Sequence, residues 1–358
     1  MQLGLVGLAN AGKTSLFNLV TGASAEVAAY AFTTREPNRA IANVPDPRID
    51  AIADIQDIPR RVPATVEVVD IAGLAPGAGR GEGVGGQALA KLREMDALIH
   101  VVRGFESGVV AHPDDRVDPV ADAETVDLEL VMADREQTAR RKEKTEKTAK
   151  SGDVAARAEL EPLACLLATL DAGTPARLAP DPAAVELAET MYLLTAKPVL
   201  YLVNTDEPGA PPEGVSRHAQ RVGAQALALP VGVELELAQM SPEDAAELAE
   251  ALEYGTERGA DALVAAAYRL LDLVTIFTGS GPPEARAWPV PRGTPADRAA
   301  GKIHSDMERG FIRAEVVNWQ DLVDAGSFSK ARETARVRME GREYIVQEGD
   351  VMQIRFNV

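Results

Sequence analysis

Gly7-Leu8-Ala9-Asn10-Ala11-Gly12-Lys13-Thr14 satisfies the pattern G-x-x-x-x-G-K-[ST]. It stands between a short apolar run, residues 3–6, which reads as a strand, and a helical stretch, residues 13–21. A glycine-rich turn in that setting can aim successive backbone N–H groups at one point. The helix that follows adds partial positive charge at its start. Both features suit a phosphate chain. The pattern therefore predicts a cradle in which Asn10, Ala11, Gly12, Lys13, Thr14 and Ser15 contact a nucleotide. Lys13 is expected to reach the β- and γ-phosphates and so to share in catalysis, and Ser15 to contact the α-phosphate. The Thr14 hydroxyl is expected to ligate Mg²⁺.

Working outward, residues 65–69 (T-V-E-V-V) read as a second strand ending at Asp70. A carboxylate at that strand end can hold Mg²⁺ through water, and Gly73, three residues on, can offer its N–H to the γ-phosphate. The next residue is Leu74, where Ras-like GTPases carry the glutamine that orients the attacking water. Leucine cannot do this, so the catalytic group comes from elsewhere or hydrolysis is slow. Residues 75–86 contain six glycines and read as a switch segment ordered by the γ-phosphate. Thr33 and Thr34 precede the second strand, and Thr34 is the candidate to close over Mg²⁺.

A third strand, residues 98–102, leads into a loop containing His112. That loop lies on the edge where ligands bind in parallel sheets. His112 is a candidate to orient the attacking water, with a plain surface histidine as the alternative. His100, within the strand, reads as structural. A fourth strand, residues 198–203, is followed by Asn204-Thr205-Asp206-Glu207, and residues 226–229 form a weaker fifth. GTPases place N-K-x-D after the fourth strand, and its aspartate accepts from guanine N1–H and the 2-amino group. Here the lysine is Thr205 and the acidic end residue is Glu207, a longer carboxylate, while Asp206 comes one position early. Adenine lacks the 2-amino donor, so this site need not reject it. Asn204 and Glu207 thus point to ATP, with GTP as the alternative ligand.

Strands alternating with helices imply a mostly parallel α/β sheet. Between the third and fourth strands lie two helix-forming stretches, residues 122–150 and 154–170, joined at Ser151-Gly152-Asp153. They read as an inserted helical hairpin. Its first arm carries Arg135, Arg140, Arg141, Lys142, Lys144, Lys147 and Lys150. These form either a solvated face with local ion pairs to Glu143 and Glu146 or a basic arm for a partner. Gly279-Ser280-Gly281-Pro282-Pro283 reads as a linker to a small β-rich module, with strands over residues 285–290, 311–317, 344–346 and 351–356 and a helix over 319–323.

Composition agrees with several soluble domains. The 358 residues are 46% hydrophobic and 26% charged, and the net charge is −18. Such a balance argues against broad nonspecific nucleic-acid binding. Residues 284–358 hold 12 basic and 12 acidic side chains, so the acidity lies in the remainder, which hints at a separate C-terminal module. The single cysteine, Cys165, excludes an internal disulfide and suggests a reducing compartment. No apolar run reaches the ~18 residues of a membrane span. The first residues have no basic region and read directly into a strand, so no signal peptide is expected.

Taken together, these motifs resemble the Obg-like ATPase family of the YchF type over essentially the whole chain. The matching stretches are G-L-V-G-L-A-N-A-G-K-T-S-L-F-N, residues 32–38 (F-T-T-R-E-P-N), 45–48 (P-D-P-R), 69–74 (V-D-I-A-G-L), 81–87 (G-E-G-V-G-G-Q), the N-T-D-E element, residues 301–314 (G-K-I-H-S-D-M-E-R-G-F-I-R-A) and the terminal G-D-V-M-Q-I-R-F-N-V. The resemblance implies a P-loop nucleotide domain over residues 1–121 and 186–278, an inserted helical domain over 122–185 and a β-grasp-like TGS domain over 279–358. It also implies a hydrophobic residue at Leu74, an ATP-favouring Asn204–Glu207 element and a catalytic role for His112. Mg²⁺ is the expected cofactor and the ribosome or its RNA the expected partner. A cytoplasmic monomer without membrane attachment follows. Two departures stand out. Ala9 replaces the family's usual proline, and residues 229–233 (L-P-V-G-V) lack the small-polar/Ala pair that normally backs the base.

Overall fold

The computed structural model describes residues 1–22, 38–71, 73–74, 83–107, 110, 112, 116–252, 254, 259–279 and 283–357. Thr33, Thr34 and residues 75–82 of the glycine-rich segment lie outside them. Along the chain the strands are β1 (Gln2–Val6), β2 (Asn38–Asn43), β3 (Arg60–Val62), β4 (Thr65–Asp70), β5 (Ala97–Gly104), β6 (Val199–Thr205), β7 (Gln225–Leu229), β8 (Leu273–Thr278), β9 (Glu284–Pro291), β10 (Phe311–Asn318), β11 (Arg338–Glu340) and β12 (Asp350–Phe356). Two six-stranded sheets result, in the orders β2-β4-β1-β5-β6-β7 and β11-β10-β12-β8-β9-β3. The chain parts into two compact units, Met1–Ile41 with Glu67–Leu263, and Ala42–Val66 with Val264–Val358.

In the first unit β1 lies between β4 and β5, and β4-β1-β5-β6-β7 run parallel throughout. β5 and β6 are buried along nearly their whole length, as continuous apolar runs in a covered parallel sheet should be. The helices here are α1 (Lys13–Thr21), α3 (Gly83–Glu94), α4 (Pro119–Lys150), α5 (Val154–Asp171), α6 (Pro182–Thr190), α7 (Glu213–Arg221) and α8 (Val231–Gln239), with α2 (Arg48–Ile55) in the second unit. α4 starts at Asp118, whose carboxylate accepts from the Ala121 N–H, followed by Pro119 at the first helical position. Ala123, Val126, Leu130 and Ala133, spaced three and four apart, bury one face of its first half in the same core as Val6, Val69, Leu92, Val102 and Tyr201. The helical insertion is thus rooted in the sheet's own core before it pairs with α5. Beyond that root the basic residues are mostly matched locally. Arg141 meets Glu159 at 2.6 Å, Lys147 meets Glu143 at 2.7 Å, Arg140 meets Glu136 at 3.2 Å, and Arg135 pairs with Asp171.

The second unit corrects three sequence expectations. Leu273–Thr278 belongs to its sheet, and β8 pairs antiparallel with β9 from Leu273↔Pro291 to Thr278↔Arg286. The Gly/Pro-rich stretch at 279–283 therefore joins two neighbouring strands of one sheet; glycine and proline serve hairpin connections as well as linkers. Residues 344–346 form no strand. Ile345 makes only an isolated bridge to Pro295, and the partner of β10 on that side is β11. Finally, β3 pairs parallel with β9, Arg60↔Glu284 to Val62↔Arg286, so a segment read as part of the nucleotide domain contributes to this sheet. Its three residues begin with two arginines, which hide a strand from a hydrophobicity pattern. Val274, Ile276, Val290, Phe311, Ala314, Val316 and Met352 form the core under the helix Ala296–Ile303.

Candidate nucleotide site

The loop after β1 takes the shape that the motif predicts. Asn10 has φ 62 and Gly12 φ 99, left-handed values that turn the chain so that α1 starts at Lys13. Gly12 is also required by space. A Cβ there would lie 2.2 Å from Asn204 Nδ2. Gly73 is similarly placed, since a Cβ would come within 3.0 Å of both Lys13 Nζ and the Ala9 amide.

Lys13 is only 7% exposed. Its ammonium donates to the carbonyls of Leu8 (2.7 Å) and Gly7 (3.2 Å) of its own loop. Desolvation lowers its pKa to about 8, with Asp70 pulling weakly the other way. The amide of Leu74 donates to the Gly7 carbonyl at 3.1 Å, and Leu74 is 2% exposed in the core. The residue where a catalytic glutamine could stand is therefore a buried apolar anchor tied to the cradle. Thr14 Oγ1 donates to Asp70 Oδ2 at 2.7 Å. Two hard oxygen groups thus face each other beside Lys13, a donor set that fits a hard divalent cation.

A cavity of about 1330 Å³ opens over this loop. Asn10, Gly12, Lys13, Thr14, Ser15, Asp70, Gly73 and Asn204 line it, as do Phe105, Val110, Asp206 and the start of α8 from Val231 to Val233. Ala11 is buried behind it. Asn204, next to last in β6, acts as a brace. Its side-chain amide donates to the Ala11 carbonyl at 3.2 Å and its oxygen accepts from the Val231 N–H at 3.2 Å. The cradle and the start of α8 are therefore fixed to each other through one side chain.

Two expected site residues are not gathered here. Glu207 is exposed and does not line the cavity; Asp206 does, and its carboxylate accepts from the Glu106 N–H at 3.2 Å. His112 is 8% exposed, with Nε2 2.7 Å from Asp122 Oδ2 in the first turn of α4, and it is not among the cavity's lining residues. The loop after β5 is instead shaped by Arg103, which sequence reading missed. Its guanidinium donates to the Phe105 and Val110 carbonyls and lies 4.4 Å from the Phe105 ring centroid. An arginine ending an apolar strand was the available signal.

A strand–glycine loop–helix cradle, a Thr–Asp pair beside it and an α/β sheet around it define the class: this is a P-loop nucleotide hydrolase with a GTPase-type fold. Comparison with known proteins narrows this. The family described as "50S ribosome-binding GTPase" matches residues 2–152, and the YchF-type GTPase C-terminal family, described as a protein of unknown function, matches residues 273–357. The chain is 41% identical to "Ribosome-binding ATPase YchF" of Bacillus subtilis, over all of both chains. It is 37% identical to "Obg-like ATPase 1" of Oryza sativa, covering 100% of this chain and 92% of that one. The structure titled "Structure of the Schizosaccharomyces pombe YchF GTPase" superposes with a TM-score of 0.86 at 30% identity, covering 99% of this chain and 97% of the other. The chain belongs to the YchF/Obg-like ATPase family.

Proposed function

We infer that this protein is an ATP-binding and ATP-hydrolysing switch that works on the ribosome. The observation that carries the reading is Lys13, a buried cation held by two carbonyls of the loop it serves. Exchanging those carbonyls for β- and γ-phosphate oxygens replaces dipoles by full charges at no cost in burial. The loop amides from Asn10 to Ser15 and Gly73 would surround the same phosphates, so stabilisation of developing charge does most of the work. Thr14 and Asp70 would hold Mg²⁺, with Thr34 outside the described residues. Bound there, the ion would neutralise charge on the phosphates.

The relatives' names divide between ATPase and GTPase. ATP is favoured here because neither carboxylate stands as the aspartate of N-K-x-D does: Asp206 comes one position early and Glu207 faces solvent. His112 remains the candidate for orienting the attacking water, with Asp122 at its Nε2 fixing the ring. The ribosome enters as partner through the B. subtilis relative's name. Among the described residues no helix is long and apolar enough to cross a membrane. Action in the cytoplasm, as a monomer, is part of the same proposal.

The test is calorimetry with ATP, GTP, ADP and GDP plus Mg²⁺, followed by co-sedimentation with ribosomes. Tighter binding of ATP than GTP, and sedimentation that changes with nucleotide, are expected. Tighter GTP binding would reverse the base assignment, and indifference to ribosomes with every nucleotide would remove the partner.

A further inference from the structure

The parallel sheet of the first unit has a second cavity, of about 440 Å³, at the strand starts rather than the strand ends. Leu98, second in β5, and Val199, first in β6, form its floor. Leu128 and Val131 of α4, Leu178 and Leu194 give it apolar walls. Its volume falls within the range of small-molecule sites, roughly 300–1,000 Å³.

Its charged groups are the carboxylates Glu124 and Asp127 and the cations Arg177, Lys197 and Arg221, with His218 among them. Asp127 of α4 takes its contacts mostly at one oxygen. Tyr201 donates to its Oδ2 at 2.6 Å, His218 Nε2 stands 2.6 Å from the same oxygen, and His100 lies 3.5 Å from Oδ1. Arg221 at the mouth is paired with Glu124 at 2.9 Å. Among the described residues Arg177 makes no ion pair within 4 Å, although the Asp127 carboxylate lies near enough to act on it. Its Nε and Nη2 donate to the Val222 carbonyl (3.1 and 2.8 Å) and its Nη1 to that of Thr195 (3.1 Å). A guanidinium has five N–H bonds, so two of them find no acceptor among the described residues. Desolvation lowers its pKa, with Tyr201 and Asp127 pulling the other way.

We propose that this cavity binds a small amphiphilic anion, whose phosphate or carboxylate head takes the two open N–H bonds of Arg177 and whose aliphatic body lies against Leu98, Leu128, Val131 and Val199. The guanidinium fork suits a planar or tetrahedral oxyanion. The apolar walls exclude a bare inorganic ion as the best ligand, because it would leave them in contact with water.

Calorimetric titration of hexyl phosphate, hexanoate, inorganic phosphate and hexanol into the full chain, with ADP in excess, tests this. One-to-one binding of an alkyl anion is expected, at least about tenfold tighter than inorganic phosphate or hexanol. The stronger of hexyl phosphate and hexanoate identifies the head group. Arg177→Met should weaken it about tenfold or more, while Lys13→Ala should leave it intact. Because Arg177 also braces Val222 and Thr195, Arg221→Met supplies a variant at an exposed position, with a several-fold loss expected. Absence of binding, equal binding of hexanol, loss of binding in Lys13→Ala, or unchanged binding in both arginine variants would each overturn the proposal.

Discussion

The two ends of one parallel sheet answer the same electrostatic problem with different materials. At the strand ends Lys13 rests on the carbonyls of Gly7 and Leu8; at the strand starts Arg177 rests on those of Thr195 and Val222. Desolvation lowers the pKa of both. The difference lies in what surrounds the cation. Lys13 sits in the glycine-rich loop itself, a motif suited to a highly charged ligand. Arg177 has no such loop; apolar walls drawn from several segments stand beside Asp127 and Arg221, and the proposed ligand carries little charge and much hydrocarbon. On the proposal above, the walls around each cation set which anion it would take.

The largest expected break in this comparison comes from Lys13→Ala. If the ammonium stabilises charge on transferring phosphate, kcat for ATP should fall by about 100- to 1000-fold, measured by phosphate release. Retained turnover would mean that the resting carbonyl contacts are its whole purpose.

The burial of Lys13 also predicts a pH signature in protein free of metal and nucleotide. Its folded pKa of about 8 lies below the unfolded 10.5, so the unfolded chain binds more protons between those values. Stability should therefore rise as pH rises from about 8 to 10.5, by about 3 kcal/mol from this group alone. Denaturant melts of the parent and Lys13→Met across that window check it; the variant should lose the slope.

Asn204 sharpens the comparison from the side of architecture, because at the phosphate end an uncharged side chain ties two backbone segments together. Asn204→Ala strands the buried Ala11 carbonyl and Val231 N–H. A loss of about 1–3 kcal/mol is expected in chemical denaturation, with weaker ATP binding alongside. The smallest effect belongs to the arm. Arg141→Ala breaks an exposed pair with Glu159, and a change of about 0–1 kcal/mol is expected by the same melts.

How far the sequence could be read follows from the same contrast. The cradle was legible because its geometry is local. Gly12, Lys13, Thr14, Asp70 and Leu74 each fall where the motif puts them. The helical hairpin was legible too, since Gly152 lies in the turn and the two arms keep helical spacing. Glu207 and His112 were read by position along the chain, and position does not say where a side chain turns. Thr205 Oγ1 caps the Glu207 carbonyl at 2.8 Å, and Asp122, ten residues on, holds His112. β3 and the carbonyl brace of Arg177 depend on partners far along the chain, so no local pattern announces them.

The pairing of β3 with β9 has a consequence for synthesis. Arg60 emerges early, while its partner Glu284 is among the last quarter of the chain to be made. Through most of translation α2 and β3 have no sheet to join, and Ile49, Ile52 and Ala53, buried in the finished protein, must wait without their cover. A chain halted at residue 278 would leave that segment permanently orphaned. For this protein the final residues therefore complete a unit begun near the start, and vectorial folding from the amino end cannot be complete until they arrive.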